Sequence, residues 1–153
     1  MEIYDMAGHL VRRLHQISLA VFAERMAAAG FDLTPVQFSA LATLDANPGI
    51  DQATLAGMIA YDKATLGSVI ERLETRGLIV RGISPQDRRA RVLQLTGNGR
   101  ALLKAARPVV EALQPDILAG LDDAERGTLL ELLHKATEAG NDLSRAPLRR
   151  PEP

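Results

Sequence analysis

The chain has 153 residues, of which 46% are hydrophobic, 3% aromatic and 24% charged, and its formal net charge is -1. This balance excludes general disorder and fits one compact domain whose core is built from Leu, Ala, Val and Ile, as in packed helices. The absence of cysteine excludes disulfides, thiolate metal sites and thiol-based redox sensing, and no apolar run approaches the roughly 20 residues that span a bilayer, so we expect a cytoplasmic protein.

The first predicted element is a long helix from about Tyr4 to Ala29, ended by Gly30. Apolar residues recur along it at steps of three and four, which is the spacing of a single helix face. These residues are Ile3, Met6, Leu10, Leu14, Ile17 and Val21. So long an apolar face has to be buried, and we expect other long helices, including those of a second subunit, to cover it.

Three shorter helices are predicted next. Thr34-Pro35-Val36-Gln37 is the pattern of a capping box with proline at the first helical position. Asp51 and Asp62 predict the starts of the second and third helices. The third runs from Lys63 to Arg76, and Gly77 marks its end.

After Gly77 the apolar period changes to that of strands. Leu78-Ile79-Val80 is a short apolar run, and Arg91-Val92-Leu93-Gln94-Leu95 alternates polar with apolar residues. Ser84-Pro85-Gln86-Asp87 between them has turn chemistry, so the segment predicts a β-hairpin. Three short helices followed by a hairpin predict a winged helix-turn-helix, mainly α with a small β-hairpin wing.

The remainder of the chain is predicted to be helical. Pro108 and Pro115 are expected to kink or interrupt a first helix, and Asp122 opens a last one. We therefore expect an N-terminal dimerisation helix at residues 1–30, a winged lobe at 31–99, C-terminal dimerisation helices at 100–145 and a flexible tail at 146–153. The apolar faces of the outer helices exceed what one small lobe can cover, which favours a two-fold symmetric dimer.

Positive charge is concentrated in the central third of the chain. Residues 63–104 hold nine basic and three acidic side chains, for a formal charge of +6, whereas residues 1–62 carry -4 and residues 105–153 carry -3. A near-neutral protein with one basic region is suited to bind a polyanion with one face. Together with the predicted winged helix-turn-helix, this charge makes double-stranded DNA the expected partner.

The helix that begins at Lys63 is the expected reader of the major groove, because it is the second of a close helix pair. Its apolar residues are needed inside, which leaves Lys63, Ala64, Thr65, Gly67, Ser68 and Arg72 to face outward. Small residues allow close approach to DNA, hydroxyls can donate to bases or phosphates, and a lysine at the helix start suits a phosphate. The alternative is an ordinary solvated face.

The hairpin tip has a higher density of basic residues than this helix. Asp87, Arg88, Arg89 and Arg91 crowd a short turn, and arginine is suited to narrow minor grooves. Asp87 would repel DNA if unpaired, so we expect it to hold an arginine side chain, that of Arg89, in a fixed geometry. The alternative is a flexible charged turn.

Residues from about 34 to 104 resemble the MarR family of bacterial winged-helix regulators. The matching stretches are Leu33-Thr34-Pro35-Val36-Gln37-Phe38, Asp51-Gln52-Ala53-Thr54-Leu55-Ala56, Lys63-Ala64-Thr65-Leu66, Leu73-Glu74-Thr75-Arg76-Gly77-Leu78-Ile79 and Asp87-Arg88-Arg89-Ala90-Arg91 leading to Leu95-Thr96. The resemblance implies a homodimer with interlocked terminal helices and two lobes that read a palindrome. Asp87 and Arg89 fall on the family's wing pair, and Thr65 on its recognition-helix threonine. Gly67 and Ser68 depart from the usual hydroxyl and basic residue, so an operator sequence is not transferred.

The resemblance also implies a small aromatic or phenolic acid as effector, bound between the first helix and the winged lobe. The candidate residues are His9, Arg12, Arg13, His15 and Gln16, with Gln37 and Phe38 on the facing wall. An arginine beside a histidine suits a carboxylate where water is scarce. The alternative is that the arginines are surface residues and the histidines bond backbone carbonyls.

Other function classes find less support in the residues. His9 and His15 lie about 120° apart around the helix, which makes them poor co-ligands, so we expect no metal and no other cofactor. Nucleophile elbows and phosphate-binding loops are lacking, so an enzyme is not expected. The expected function is a sequence-specific DNA-binding repressor released by an aromatic or heteroaromatic acid; the alternative is a dimeric winged-helix interaction module without an effector.

Overall fold

The computed structural model describes residues 1–151 and has the predicted mainly helical, winged helix-turn-helix fold. Its helices and strands are α1 (Ala7–Ala28), α2 (Pro35–Ala46), α3 (Gln52–Met58), α4 (Lys63–Thr75), β1 (Ile79–Ile83), β2 (Arg91–Leu95), α5 (Gly97–Ile117) and α6 (Asp123–Ala139). Short 3-10 turns lie at Ile3–Asp5 and Asn141–Leu143. Among residues 1–151, no helix is long and apolar enough to cross a membrane.

The predicted helix starts are confirmed by their capping bonds. The Thr34 hydroxyl accepts from the Gln37 amide at 3.2 Å, and the Gln37 side-chain oxygen accepts from the Thr34 amide at 3.0 Å. Asp51 and Asp62 each accept from the backbone amide three residues later, at 2.7 and 3.0 Å. Each cap satisfies one of the amides that lack a partner in the first helical turn.

A single apolar core lies inside the winged lobe. Leu41, Leu44, Leu55, Leu66, Ile70 and Leu73 are fully buried in it, and they come from α2, α3 and α4. The inner face of α5 closes the core from one side, through residues such as Leu103 and Leu113. Of α1, only Phe22 and Met26 are buried in this core.

The hairpin is anchored to the lobe at its base and midway along β2. Ile79 pairs with Leu95 and Ile83 with Arg91 in the antiparallel ladder, and Leu93 makes an additional bridge to Ile50. At the base, a Cβ on Gly99 would lie 2.0 Å from the carbonyl oxygen of Leu78, a contact that only glycine avoids. The wing is therefore held against both the helix-turn-helix and α5.

Two expectations about the C-terminal third differ from the structure. The predicted interruption at Pro108 and Pro115 is wrong, because α5 is one continuous helix that contains both. Each proline removes a single donor, and the buried face of α5 keeps the helix in place. Residues 146–150, predicted to be flexible, make defined contacts described below; residues 152 and 153 of that tail lie outside the described residues.

The helices outside the winged lobe keep much of their apolar surface exposed. No residue of α6 is buried, and Leu130 and Leu132 are 50% and 58% exposed. The stripe predicted on α1 is likewise uncovered, with Leu10 and Ile17 about half exposed. Surfaces of this kind mark interaction sites rather than the ordinary surface of a monomer.

Candidate nucleic-acid interface and ligand site

The outer face of α4 is the first part of the candidate DNA interface. Lys63, Ala64, Thr65, Ser68 and Arg72 are exposed, while Leu66, Ile70 and Leu73 on the opposite face are buried. Gly67 differs from the expectation, since it is half-buried and an added Cβ would lie 3.5 Å from the Gln52 side-chain nitrogen. Its small size therefore serves the contact between α3 and α4 as well as the outer face.

The two hydroxyls on this face already donate hydrogen bonds within the protein. Thr65 Oγ1 donates to Asp62 Oδ2 at 2.8 Å, and Ser68 Oγ donates to the Thr65 carbonyl at 3.0 Å. The expectation that they donate to DNA thus requires a change of partner. Without such a change their lone pairs can accept, for example from the amino groups of cytosine or adenine.

The carboxylates that cap α3 and α4 are held in the charged form. Hydrogen bonds from the side chain and the backbone of Thr65 lower the pKa of Asp62, and the charge of Arg145 contributes to the same direction. Hydrogen bonds from the backbone and the side chain of Thr54 lower the pKa of Asp51. Both helices of the helix-turn-helix therefore keep their caps at neutral and mildly acidic pH.

The wing tip (residues 84–90) is a turn closed by its own hydrogen bonds. Ser84 Oγ accepts from the amides of Gln86 and Asp87, and the Ser84 amide donates to the Ala90 carbonyl at 3.1 Å. Arg88 and Arg89 at the tip are exposed, as is Arg91 at the start of β2.

The expected pairing of Asp87 with the Arg89 side chain is wrong in its detail. Asp87 Oδ1 accepts from the backbone amide of Arg89 at 2.9 Å, and no ion pair joins the two side chains in the described structure. A carboxylate two residues before an amide favours this local turn. Asp87 therefore shapes the turn that presents the arginines and leaves the Arg89 guanidinium free of it.

The wing and α4 are also linked to one another. Arg81 on β1 lies 3.6 Å from the Glu74 carboxylate on α4, in a partly exposed ion pair. Arg76, just after α4, donates to the Asp32 carbonyl at 2.7 Å. Sequence reasoning did not find either contact, because Arg76 and Asp32 are far apart in the chain and the pairing of Arg81 with Glu74 depends on how the hairpin packs against α4.

The residues of the candidate ligand site fall into three groups. Arg12 donates to Gln16 Oε1 at 3.2 Å and lies 3.4 Å from His9 Nδ1, and the Tyr4 ring meets the His9 ring edge-on at 5.9 Å. These side chains form one polar cluster on the N-terminal half of α1. Arg13 is exposed on the same half.

His15 faces a different part of the molecule. It lines a cavity of about 640 Å³ between α1, the end of α5 and α6, together with Gln114, Arg126 and several apolar residues. The six-residue step from His9 turns it away from the Arg12 cluster, as the helix geometry predicts.

Gln37 and Phe38 belong to the winged lobe. Gln37 is buried with its oxygen engaged in the capping box, and Phe38 packs against the core. His9 lies 13 residues before Phe22, the first core residue of α1, which corresponds to about 20 Å along the helix. Within one chain, the polar cluster therefore lies outside the core against which Phe38 packs.

Comparison with known proteins gives a consistent result. The family model of the MarR family matches residues 33–90. The transcriptional repressor NicR of Pseudomonas putida is 33% identical over 138 residues, which cover 90% of this chain and 86% of NicR.

Two solved structures are similar over almost the whole chain. The structure of BpsR from Bordetella bronchiseptica, whose DNA binding is regulated by 6-hydroxynicotinic acid, has a TM-score of 0.83 and 33% identity and covers 90% of this chain and 96% of its own. The repressor CouR bound to a 23-mer DNA duplex has a TM-score of 0.80 and 35% identity, over 89% of this chain and 95% of its own.

Proposed function

The chain belongs to the MarR family and is a transcriptional regulator of that type, and we propose that it is a dimeric repressor of a palindromic operator, released by a small aromatic or heteroaromatic acid. The observation that carries the DNA part is the wing tip, a hydrogen-bonded turn with exposed Arg88 and Arg89. It lies on the same lobe as Lys63 and the exposed face of α4. The DNA-bound form of CouR supports the same use of this fold.

Each element has a distinct task in this proposal. Helix α4 enters the major groove with Thr65 and Ser68 towards the bases, and Lys63 contacts a phosphate near the helix start. The wing tip places arginine in the neighbouring minor groove, where the potential is most negative. Asp87 contributes by shaping the turn, through its bond to the Arg89 amide.

The DNA proposal is tested by comparing two arginine variants. Arg89→Ala and Arg107→Ala each remove one exposed guanidinium that has no ion pair within residues 1–151, but only Arg89 lies on the wing tip. Binding is measured to a palindromic duplex selected from a random library by the wild-type protein. Arg89→Ala should weaken binding roughly tenfold or more, and Arg107→Ala should have little effect. Equal affinities would reject the wing as a DNA contact.

The ligand part rests on the polar cluster of α1. Arg12 already donates to an amide oxygen of Gln16, and a carboxylate in that position would replace a neutral acceptor by a charged one. His9 next to it offers a ring nitrogen, with the Tyr4 ring at its edge, to a hydroxyl or ring nitrogen of a heteroaromatic acid. Regulation of BpsR by 6-hydroxynicotinic acid supports this chemical class.

The dimer supplies the wall that one chain lacks. The N-terminal half of α1 lies outside the core against which Phe38 packs, and its exposed Leu10 and Ile17 need a cover. We infer that this cover is the second protomer, and that the polar cluster of α1 faces the winged lobe of the partner. A ligand there would alter the spacing of the two lobes and thereby release DNA.

Mixed dimers test this arrangement. Arg12→Ala and Phe38→Ala chains should each bind poorly as homodimers in a thermal-shift assay with pyridine and benzene carboxylates, 6-hydroxynicotinic acid among them. Because Arg12 and Phe38 of one pocket would come from different chains, a mixed dimer of the two variants keeps one intact pocket and should recover about half of the sites. No recovery would place each pocket within a single chain. Ligands that stabilise the protein without displacing DNA would contradict release.

A further inference from the structure

The segment after α6, residues 141–150, folds back on itself and is called the strap below. The Asn141 side chain closes it, since Oδ1 accepts from the Leu148 amide at 2.8 Å and Nδ2 donates to the Leu148 carbonyl at 3.1 Å. Arg149 adds an ion pair to Asp142 at 3.0 Å. One asparagine thus gives the end of α6 a defined loop.

The strap is attached to α3 through backbone atoms. The Arg149 amide donates to the Gly57 carbonyl at 2.8 Å. A Cβ added to Gly57 would lie 3.0 Å from Arg149 Cβ, closer than side chains normally allow. The absence of a side chain at Gly57 is therefore what permits this contact.

The attachment lies next to the turn that aims α4. Gly57 is in the last turn of α3, and Ala60 in the following turn has a positive φ of 51°. A cavity of about 740 Å³ has Ala60 on one side and Ser144 and Ala146 of the strap on the other. The strap therefore flanks the few residues that set the direction of α4 relative to α3.

At its other end the strap continues from α6, whose residues are all at least partly exposed and which lies outside the core of the winged lobe. The lobe and α6 are otherwise in limited contact, so a bond from the strap to α3 restricts how they move relative to each other. In a dimer, the position of each α4 relative to the outer helices sets the distance between the two DNA-reading helices.

We propose that the strap is a positioning element for α4, which holds the helix-turn-helix at a fixed place relative to α6 and so restricts the half-site spacing that the dimer accepts. This inference rests on the proposed function, because it concerns two α4 helices on one palindrome. Asn141 and Arg149 are the positioning residues, and neither needs to touch DNA. Loss of the bond should leave each lobe able to bind a half-site.

A pair of variants at one position isolates the bond. Arg149→Pro removes both the amide donor and the ion pair to Asp142, whereas Arg149→Ala removes only the ion pair. Affinity is measured for a palindromic duplex selected by the wild-type protein, and for versions with one base pair inserted or deleted at its centre. Arg149→Pro should bind the selected duplex roughly fivefold more weakly than Arg149→Ala, because a helix-turn-helix that is no longer held in place must be ordered when DNA binds. Its discrimination against the altered spacings should fall by a similar factor.

Gly57→Ala disturbs the same contact from the α3 side, because its added Cβ would crowd Arg149 Cβ. It should therefore reproduce the loss of discrimination between half-site spacings. Gly8→Ala is its control, because a Cβ there meets nothing within 4 Å. Equal behaviour of Arg149→Pro and Arg149→Ala would overturn the inference, as would an equal loss on all three duplexes, which indicates plain destabilisation. Failure of the wild-type protein to bind any selected palindrome would instead refute the proposed function, and the inference with it.

Discussion

The winged lobe buries its large apolar side chains within its own chain, whereas the outer helices α1 and α6 leave much of their apolar surface exposed. The lobe surrounds a core in which Leu41, Leu44 and Leu66 are fully buried, and its helices begin at satisfied caps. Helix α6 has no buried residue, and α1 has only two, Phe22 and Met26. The lobe is thus stabilised by its own chain, whereas the outer helices leave apolar surface that the proposed dimer would cover. The proposed DNA surface lies wholly on the lobe, whereas the proposed ligand site joins α1 to Phe38 of a lobe.

The largest loss of stability is expected at Gly99 at the base of the wing, where the structure leaves no space for an added Cβ. Gly99→Ala would place a Cβ 2.0 Å from the Leu78 carbonyl oxygen, which forces the hairpin and α5 apart. We expect a loss of about 3 kcal/mol or more in the free energy of unfolding, measured by urea denaturation. Gly97→Ala, two residues earlier with open space around it, is the control and should change little.

Leucine truncations compare the two regions directly. Leu44→Ala in the lobe should lower the free energy of unfolding by about 2–5 kcal/mol at any protein concentration, because it leaves a cavity in a closed core. Leu132→Ala on α6, where the leucine is 58% exposed in the single chain, should act mainly through the dimer. Its effect should then appear as weaker association in sedimentation velocity and grow on dilution. A concentration-independent loss at Leu132 would show that α6 is buried within its own chain.

A smaller effect concerns the pH dependence of the lobe. Hydrogen bonds from Thr54 lower the pKa of Asp51, so this carboxylate stabilises the fold above its unfolded pKa, and the contribution is lost as pH falls through the lowered folded value. Asp51→Asn keeps an acceptor but not the charge. We expect it to cost about 0.5 kcal/mol at pH 7, a small figure because the site is largely exposed, and less near pH 3. A difference between the two proteins that grows as pH falls would contradict this.

An effect of similar size but opposite sign is expected at the turn before α4, where a substitution should stabilise the fold. Ala60 has a φ of 51°, a conformation that glycine adopts without steric cost. Ala60→Gly should raise the free energy of unfolding by about 0.5 kcal/mol, since the relief of strain exceeds the added entropy of the unfolded chain. Thermal denaturation measures the change, and a lower midpoint would indicate that Ala60 makes contacts worth more than the strain.

Local signals predicted the lobe well. Thr34 with Gln37, Asp51, Asp62 and Gly77 lie where helices begin and end, because capping and left-handed turns depend on neighbouring residues alone. The basic wing tip was also predictable, since it is a continuous stretch of sequence.

What sequence could not predict depends on contacts between distant segments. The close approach of Gly99 to Leu78 and the bond from Arg149 to Gly57 have no local pattern. The proposed ligand residues looked like one pocket in the sequence, whereas within one chain the cluster around His9 lies outside the core against which Phe38 packs. In the proposed dimer these residues would meet across two chains.

The central claim is that positive charge on the wing tip and α4 holds DNA, and the salt dependence of binding tests it most directly. The slope of log K against log salt concentration, measured on the selected palindrome, should be steeply negative for the wild-type protein. Replacing both Arg88 and Arg89 by Ala should reduce its magnitude by about 0.9 for each phosphate that these arginines neutralise. A wild-type slope near zero, or an unchanged slope in the double variant, would contradict the account.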